Sequence, residues 1–364
     1  MQIKDREFTR EEFRGYLKEN PVELFSSYGK RRWLKIYCLL VAEDWKERLF
    51  SPKEITQLGE IYRVSPLSDD GEGSEQYFLE EYSPGLLLMY TYASDDSYQK
   101  ELGTRIDRRK GAARMWIKPL LFDAFWKGLM EDTNGYVYLF SGRRKGERDG
   151  PCRIRPEYSR RIEYRGNDAT FALDEMGELY GVIPNRIYLR AGHDLKLHIT
   201  DDGLFAAQRA TPRIIDLFLK HLDRIKGEIL SMQATSKRFE YRIDEHLNIK
   251  VAYINAGCIT LNAQKSFDEH ALEKIKKEIK RFSFIDTYIG RQERKDDSKA
   301  KGLESITTTV IDELKGSVFD ITISHHRIVI VPKYETTFES FIGFYQGVVE
   351  LVDDNAELAE LAHC

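Results

Sequence analysis

The chain has 364 residues, of which 41% are hydrophobic, 12% aromatic and 32% charged. An aromatic content this high excludes a largely disordered protein, and the length predicts two or three domains. The longest uncharged stretch, residues 251–264, is shorter than the roughly 20 apolar residues of a membrane-spanning helix. The charged first residues lack the apolar core of a secretory signal, and the four cysteines are scattered. These features predict a cytoplasmic protein.

The net charge of −4 conceals one basic segment. Residues 1–100 carry 14 basic and 19 acidic groups, residues 101–165 carry 16 and 9, and residues 166–364 carry 26 and 32. The middle segment therefore has a local charge of +7 between two acidic parts of the chain. Such a local excess is typical of a surface that binds an anionic partner.

The first 64 residues are predicted to form a helical cap. Thr9-Arg-Glu-Glu12 has the pattern of a capping box, and Phe8 and Phe13 have the spacing of a hydrophobic staple. A second helix is predicted over residues 33–45, and a third begins at Ser51-Pro52, where proline suits the first helical position. Three short helices are compatible with a helix-turn-helix, although such a trio is more often a simple cap.

From residue 77 the pattern changes to short strands. Strands are predicted at residues 77–81, 86–92 and 136–140, with a helix over residues 117–131 between the second and third. An antiparallel meander, whose segments include ATFAL and LYGVI, follows over residues 160–207. It ends at Thr211-Pro212, where a long amphipathic helix begins. We interpret residues 77–235 as an antiparallel α+β domain with basic loops.

Residues 236–364 are predicted to form a second α+β unit. Strands over residues 239–261 and 318–331 each precede a capped amphipathic helix, the first from Ser266 and the second from Thr336. A flexible loop is predicted at residues 291–301, which are almost entirely polar. The predicted fold class is therefore α+β: an N-terminal helical segment followed by antiparallel-sheet meanders, each covered by long amphipathic helices.

The basic segment is predicted to hold the functional site. Its arginines can grip phosphates in a bidentate manner, which lysine cannot do. Trp116, Tyr158 and Tyr164 lie among them and could stack on bases, and Arg165 ends the segment. The predicted nucleic-acid-binding residues are Arg105, Arg108, Arg109, Lys110, Arg114, Arg143, Arg144, Lys145, Arg148, Arg153, Arg155, Arg160 and Arg161.

Motifs for common enzyme chemistry are missing from the sequence. There is no GxGxxG, GxxxxGK[ST] or GxSxG, and neither the histidines nor the cysteines have metal-ligand spacing. We therefore predict no catalytic residue, no metal site and no cofactor. The resulting hypothesis is a non-catalytic nucleic-acid-binding or accessory subunit that holds a phosphate backbone through the Arg-rich segment.

Two alternatives from other classes remain open. The first is a metal-dependent nuclease or phosphoesterase whose site is assembled from dispersed Asp, Glu and His residues. The second is an oligomeric scaffold in which residues 304–364, with 3 basic and 11 acidic groups, bind the basic segment of a neighbour. The expected partners are thus a nucleic acid, another protein or a second copy of the chain, and no membrane.

Overall fold

The computed structural model describes residues 6–19, 33–66, 75–144, 152–155, 158–192, 195–208, 212–246, 249–262, 284–291, 306–333 and 336–361. The chain divides into two compact units, Met1–Leu230 and Ser231–Cys364. The division predicted from the sequence, with boundaries near residues 64 and 235, stays a prediction. The helix predicted from Ser266 and residues 292–301 of the predicted loop lie outside the described residues.

The first helix, α1 (Arg10–Glu19), begins at the predicted capping box. The backbone N–H of Thr9 donates to the Glu12 carboxylate at 2.9 Å, and the backbone N–H of Glu12 donates to the Thr9 hydroxyl at 3.2 Å. The rings of Phe8 and Phe13 lie 6.0 Å apart, as a hydrophobic staple requires. This predicted helix start is therefore confirmed.

The other elements of the first unit are mostly strands. They are β1 (Trp33–Val41), β2 (Ile55–Leu58), β3 (Ile61–Val64), β4 (Tyr77–Ser83), β5 (Leu86–Thr91), β6 (Ala112–Arg114), β7 (Tyr136–Arg144), β8 (Arg160–Arg165), β9 (Ile183–Ala191), β10 (Leu195–Thr200) and β11 (Leu204–Gln208). The helices are α2 (Trp45–Leu49), α3 (Asp95–Tyr98), α4 (Thr104–Arg108), α5 (Pro119–Thr133), α6 (Ala169–Tyr180) and α7 (Pro212–Lys237), and a π-helical turn spans Gln99–Gly103. The last seven residues of α7 belong to the second unit.

These strands form one antiparallel sheet within the described residues. Its order is β2-β3-β4-β5-β1-β11-β10-β9-β7-β8, and β6 pairs with β1. On one face, the ring of Phe13 lies 5.3 Å from that of Phe78, so α1 packs near one end of the sheet. Near the centre of the sheet, Phe218 of α7 stacks on Phe205 at 4.4 Å, and Phe125 of α5 meets Phe218 at 6.1 Å. Aromatic contacts thus fix this buried face.

The opposite face is buried at its β4–β5–β1 end. Trp45 and Leu49 of α2 and Ile106 of α4 belong to a cluster of buried side chains there. Tyr37 of β1 stacks on Tyr98 of α3, with ring centroids 3.9 Å apart. Short helices therefore cover this end, whereas the β8-β7-β9-β10 end of the same face carries polar side chains.

The predicted arrangement of helices and strands is wrong. Residues 33–45, predicted as a helix, contain the central strand β1, and the predicted helix start at Ser51-Pro52 opens a turn before β2. Nearly every residue of β1 is buried, so its apolar residues do not alternate with polar ones and the run resembles a buried helix. The described part of residues 1–64 thus contains no three-helix cap.

The predicted separate meanders, each with its own long helix, are also wrong. Strands from residue 33 to residue 208 instead join one sheet. The segment ATFAL, predicted as a strand, lies in α6. LYGVI, also predicted as a strand, is divided between the last two residues of α6, its left-handed C-cap Gly181 (φ 60°) and the first residue of β9. Ala169, Ala172 and Leu173 are buried at helical spacing in α6. Helices and antiparallel strands do occur together, so the coarser expectation of mixed α and β structure fits.

The second unit contains a six-stranded sheet and a separate two-stranded ribbon in its described part. Its elements are β12 (Glu240–His246), β13 (Ile249–Asn255), β14 (Gly257–Thr260), β15 (Phe284–Arg291), β16 (Ile306–Asp312), β17 (Val318–Ser324), β18 (Arg327–Pro332), α8 (Phe338–Leu351) and β19 (Glu357–Glu360). The predicted hairpin over residues 318–331 is confirmed by the pairing of β17 with β18, and α8 confirms the helix that follows. Phe341 of α8 is fully buried, 5.1 Å from Phe239 and 5.5 Å from Phe319.

Candidate nucleic-acid interface

The partly open face of the first unit's sheet begins at the edge strand β8. Arg161, Glu163 and Arg165 are exposed there, whereas the residues between them are partly buried, so these three side chains share one face. The pairing of β7 with β8 places Arg143 opposite Arg161. Arg143, with 34% of its side chain exposed, therefore lies on the same face as the three residues of β8, and its guanidinium pairs with the Asp201 carboxylate at 3.7 Å.

The next two strands continue this face. Pairing along the sheet places Leu139 opposite both Arg165 and Tyr188, so alternate residues of β9 face the same side as Arg165. His198 of β10 is opposite Tyr188, and Lys196 is opposite Arg190. We call the charged and aromatic side chains on this side of β7, β8, β9 and β10 the cationic face. Its members are Arg143, Arg161, Glu163, Arg165, Arg186, Arg190 and Lys196, with Tyr138, Tyr188 and His198. Its six cations outnumber the Glu163 carboxylate of the face and the Asp201 carboxylate that pairs with Arg143, so its charge is predominantly positive.

Several cations of this face have no charged partner among the described residues. Arg161, Arg165, Arg186 and Lys196 form neither an ion pair nor a side-chain hydrogen bond within that part of the chain. Arg161 and Arg165 are exposed, and the other two side chains are partly exposed. Cations in this state can contact an external anion without first breaking an internal ion pair.

A β-bulge brings an aromatic ring to the cationic face. The pairing of β7 with β9 shifts between Val137 and Leu139, which leaves Tyr138 as the extra residue. The guanidinium of Arg190 lies over the Tyr138 ring at 4.3 Å, and the Tyr188 ring lies edge-on at 5.9 Å. The bulge therefore assembles a compact group of two tyrosines and one arginine beside the unpaired cations.

His198 adds a ring to this face but little charge. Partial burial, together with the nearby Arg186 guanidinium, lowers the pKa of His198 from 6.5 to about 4. The imidazole is therefore neutral at neutral pH, and its Nε2 atom is buried without a hydrogen-bond partner among the described residues. The positive charge of the face comes from arginine and lysine alone.

The predicted site residues around α4 and β6 serve mainly internal contacts. Arg105 pairs with Glu54 at 2.9 Å. Arg114 pairs with Asp107 at 3.0 Å and with Asp202 at 3.4 Å. Binding a phosphate there would compete with these carboxylates. The structure thus places Arg105 and Arg114 in ion pairs that connect neighbouring elements of the first unit.

The remaining predicted residues are dispersed. Arg144 is buried with 2% of its surface exposed, and Arg160 donates to the carbonyl of Ile154 at 2.8 Å on the side of β8 opposite the cationic face. Arg109 donates to the carbonyl of Leu49 at 2.9 Å. Arg108, Arg153 and Arg155 are exposed, Lys110 is partly exposed, and Lys145 and Arg148 lie outside the described residues. Of the eleven predicted residues that the structure describes, only Arg143 and Arg161 belong to the cationic face.

The predicted stacking residues do not join this face. Trp116 is buried, with 3% of its surface exposed, and Tyr158 is exposed in the segment before β8. Tyr164 stacks on Phe140 at 5.8 Å and alternates with the outward-facing residues of β8. Its ring therefore packs against the opposite side of the sheet.

The cationic residues of β9 and β10 lie outside the basic segment, which ends at Arg165. Arg186, Tyr188 and Arg190 alternate with Ile187 and Leu189, which are fully buried. This alternation of polar and apolar residues predicts one exposed face of a strand. These positions form no run of basic residues, because apolar or aromatic residues separate each charge from the next.

The described residues contain neither a candidate metal site nor a membrane-spanning helix. No group of three or more His, Cys, Asp or Glu side chains there could hold a metal ion. In the same part of the chain, no helix combines the length and the apolar character required to cross a membrane.

Comparisons with known proteins give one distant similarity. No family model matches the chain. An uncharacterized protein of Archaeoglobus fulgidus is 20% identical to it over 315 residues, which amount to 84% of this chain and 83% of that protein. The similarity spans most of both chains but brings no activity with it.

Proposed function

We propose that the first unit binds a single-stranded nucleic acid across its cationic face. The observation that carries this proposal is the concentration of six cations and one carboxylate on that face, with Arg161, Arg165, Arg186 and Lys196 unpaired among the described residues. Guanidinium groups bind phosphate oxygens in a bidentate manner and suit a phosphodiester backbone.

The shape of the site favours a single strand over a duplex. Neighbouring strands of a sheet are about 4.8 Å apart, and residues two apart along a strand are separated by roughly 7 Å. The cations are therefore spread in two dimensions over four adjacent strands, and a flexible chain can follow them. Tyr138 and Tyr188 lie among these cations and offer rings to unstacked bases.

The role that follows is that of an accessory subunit which holds a nucleic acid. Contacts to phosphates fix position without distinguishing bases, and stacking on tyrosine accepts any base. We therefore expect weak sequence preference. The proposal requires no bond to be made or broken by this chain.

The test measures, by fluorescence polarisation, the affinity of the protein for labelled oligonucleotides of about 20 nucleotides. Single-stranded DNA and single-stranded RNA are titrated in parallel. The variant Arg161→Glu with Arg165→Glu places two acids on exposed positions of the cationic face. The matched control, Arg213→Glu with Arg327→Glu, makes the same change of charge at exposed positions elsewhere. We expect the first variant to bind at least about tenfold more weakly at low salt and the control to bind as wild type.

Three results would contradict the proposal. One is a wild-type protein that binds neither polymer at low salt, and another is equal weakening in the two double variants. The third is a clear preference for duplex over single strand. Adding Mg²⁺ to the same assay separates binding from chemistry, because cleavage of the probe would instead favour the nuclease alternative.

A further inference from the structure

The ribbon formed by β12 and β13 is a sheet of only two strands. Its seven-residue strands pair from Glu240 opposite Asn255 to His246 opposite Ile249. Neither strand pairs with a third strand among the described residues of the second unit. Within those residues, no strand covers either outer edge, and the backbone N–H and C=O groups along such an edge can accept another strand.

Apolar side chains of this ribbon are unusually exposed. Ile243 is 49% exposed and Ile254 is 54% exposed. Ile243 pairs with Ala252 and Tyr241 pairs with Ile254, so the two isoleucines lie on the same face. An isolated two-stranded ribbon is only marginally stable in water, and further strands would both complete the ladder and extend this apolar face.

The sequence of β12 is complementary to itself in antiparallel orientation. If two copies pair with Ile243 opposite Ile243, residue 242 of each copy lies opposite residue 244 of the other. These positions hold Arg242 and Asp244, so the pairing creates two pairs of opposite charge. Charges on an edge strand usually oppose pairing, but this pattern favours pairing with an identical edge.

The outer edge of β13 lacks this property. Antiparallel pairing of two β13 strands about Ala252 would place Lys250 opposite Ile254, which leaves the lysine without an opposite charge. Charge complementarity therefore selects β12 as the strand that pairs, and the two-fold symmetry of the contact suits a closed dimer.

We propose that two copies of this chain associate by antiparallel pairing of their β12 strands, centred on Ile243. The product is a four-stranded sheet in the order β13-β12-β12-β13, with one apolar face that contains Ile243 and Ile254 of both copies. This association is independent of the nucleic-acid proposal, since it uses residues of the second unit alone.

The experiment measures self-association of the full-length chain by sedimentation velocity over a range of concentrations. Wild type should approach twice the 42.5 kDa of one chain. Arg242→Asp and Asp244→Arg each place two pairs of like charges in the contact, so each should weaken dimerisation by more than about tenfold. Arg327→Asp, at an exposed position of β18, is the matched control and should dimerise as wild type.

Restoration of the charges gives the decisive comparison. An equimolar mixture of the two single variants should form a heterodimer, because each Asp then faces an Arg. The double variant Arg242→Asp with Asp244→Arg should dimerise alone for the same reason. A wild-type protein that stays monomeric overturns the proposal, as does an unchanged dimer in both single variants. A mixture that remains monomeric also overturns it.

Discussion

The imidazole ring of His198 lies parallel to the phenol ring of Tyr188, with centroids 4.1 Å apart and planes 2° apart. The two residues are direct partners on β9 and β10, so the sheet register itself sets the stack. The stack places a neutral ring on a face whose charge comes from arginine and lysine. The burial of His198 also makes the stability of the first unit depend on pH.

The first prediction concerns that dependence. Because partial burial lowers the pKa of His198 to about 4 in the folded protein, the unfolded chain, with a value near 6.5, binds this proton more readily. The free energy of unfolding should therefore fall as the pH decreases from about 6.5 to about 4. His198→Phe keeps an aromatic ring beside Tyr188 but cannot titrate, so it should lose this part of the slope. Urea denaturation at several pH values measures the free energy of unfolding of both proteins. Identical slopes of this free energy against pH in wild type and His198→Phe would disprove the prediction.

The second prediction concerns a buried carboxylate on β4. Glu80 is fully buried; it accepts a hydrogen bond from Nε of Arg14 at 3.2 Å and one from the Tyr90 hydroxyl at 2.7 Å. Arg14→Met would leave this carboxylate without its countercharge and should lower the free energy of unfolding by about 3–5 kcal/mol. Lys127→Met removes an exposed partner of Asp123 and should cost less than about 1 kcal/mol. Urea denaturation measures both losses of free energy. Equal losses in the two variants would show that the Arg14 guanidinium does not stabilise the buried Glu80 carboxylate.

The third prediction concerns the core of the second unit. Phe341 has no exposed surface and contacts the rings of Phe239 and Phe319. Phe341→Ala should therefore lower the free energy of unfolding by about 3–5 kcal/mol. Phe171 of α6 is 75% exposed, so Phe171→Ala should change it by no more than about 0.5 kcal/mol. Thermal denaturation of the two variants checks this prediction. Equal midpoints would mean that α8 contributes little to the stability of the second unit.

The fourth prediction concerns the salt dependence of nucleic-acid binding. Each phosphate contact should contribute about −0.7 to −0.9 to the slope of log K against log salt concentration, so four to six contacts give roughly −3 to −5. Replacing both Arg161 and Arg165 with Gln removes two such contacts and should reduce the slope by about 1.5. Polarisation titrations at several salt concentrations provide the slopes. An unchanged slope would mean that Arg161 and Arg165 do not contact the phosphates.

Features that depend on neighbouring residues could be predicted from the sequence, whereas the strand order of the large sheet could not. The capping box at Thr9 and Glu12 is confirmed because both of its hydrogen bonds form within four residues. The sequence of β1 resembles that of a buried helix because side chains on both of its faces are buried. That burial depends on packing against elements distant in the sequence, such as Tyr98 of α3 on Tyr37. Only part of the cationic face could be predicted from the sequence, because the pairing of β7 with β9 brings together Arg143 and Arg186, which are distant in the sequence.

The position of β1 also determines the order in which the first unit can be completed during synthesis. β1 pairs on one side with β5, which the ribosome makes soon afterwards, and on the other with β11, in which Gln208 is the partner of Trp33. β6 can pair with Leu39–Val41 of that second edge, but until β11 emerges Trp33–Tyr37 of the apolar strand lack a partner there. Pairings between such distant segments form slowly, and exposed edges of this kind promote aggregation. Newly made chains should therefore need protection until residue 208 has left the ribosome.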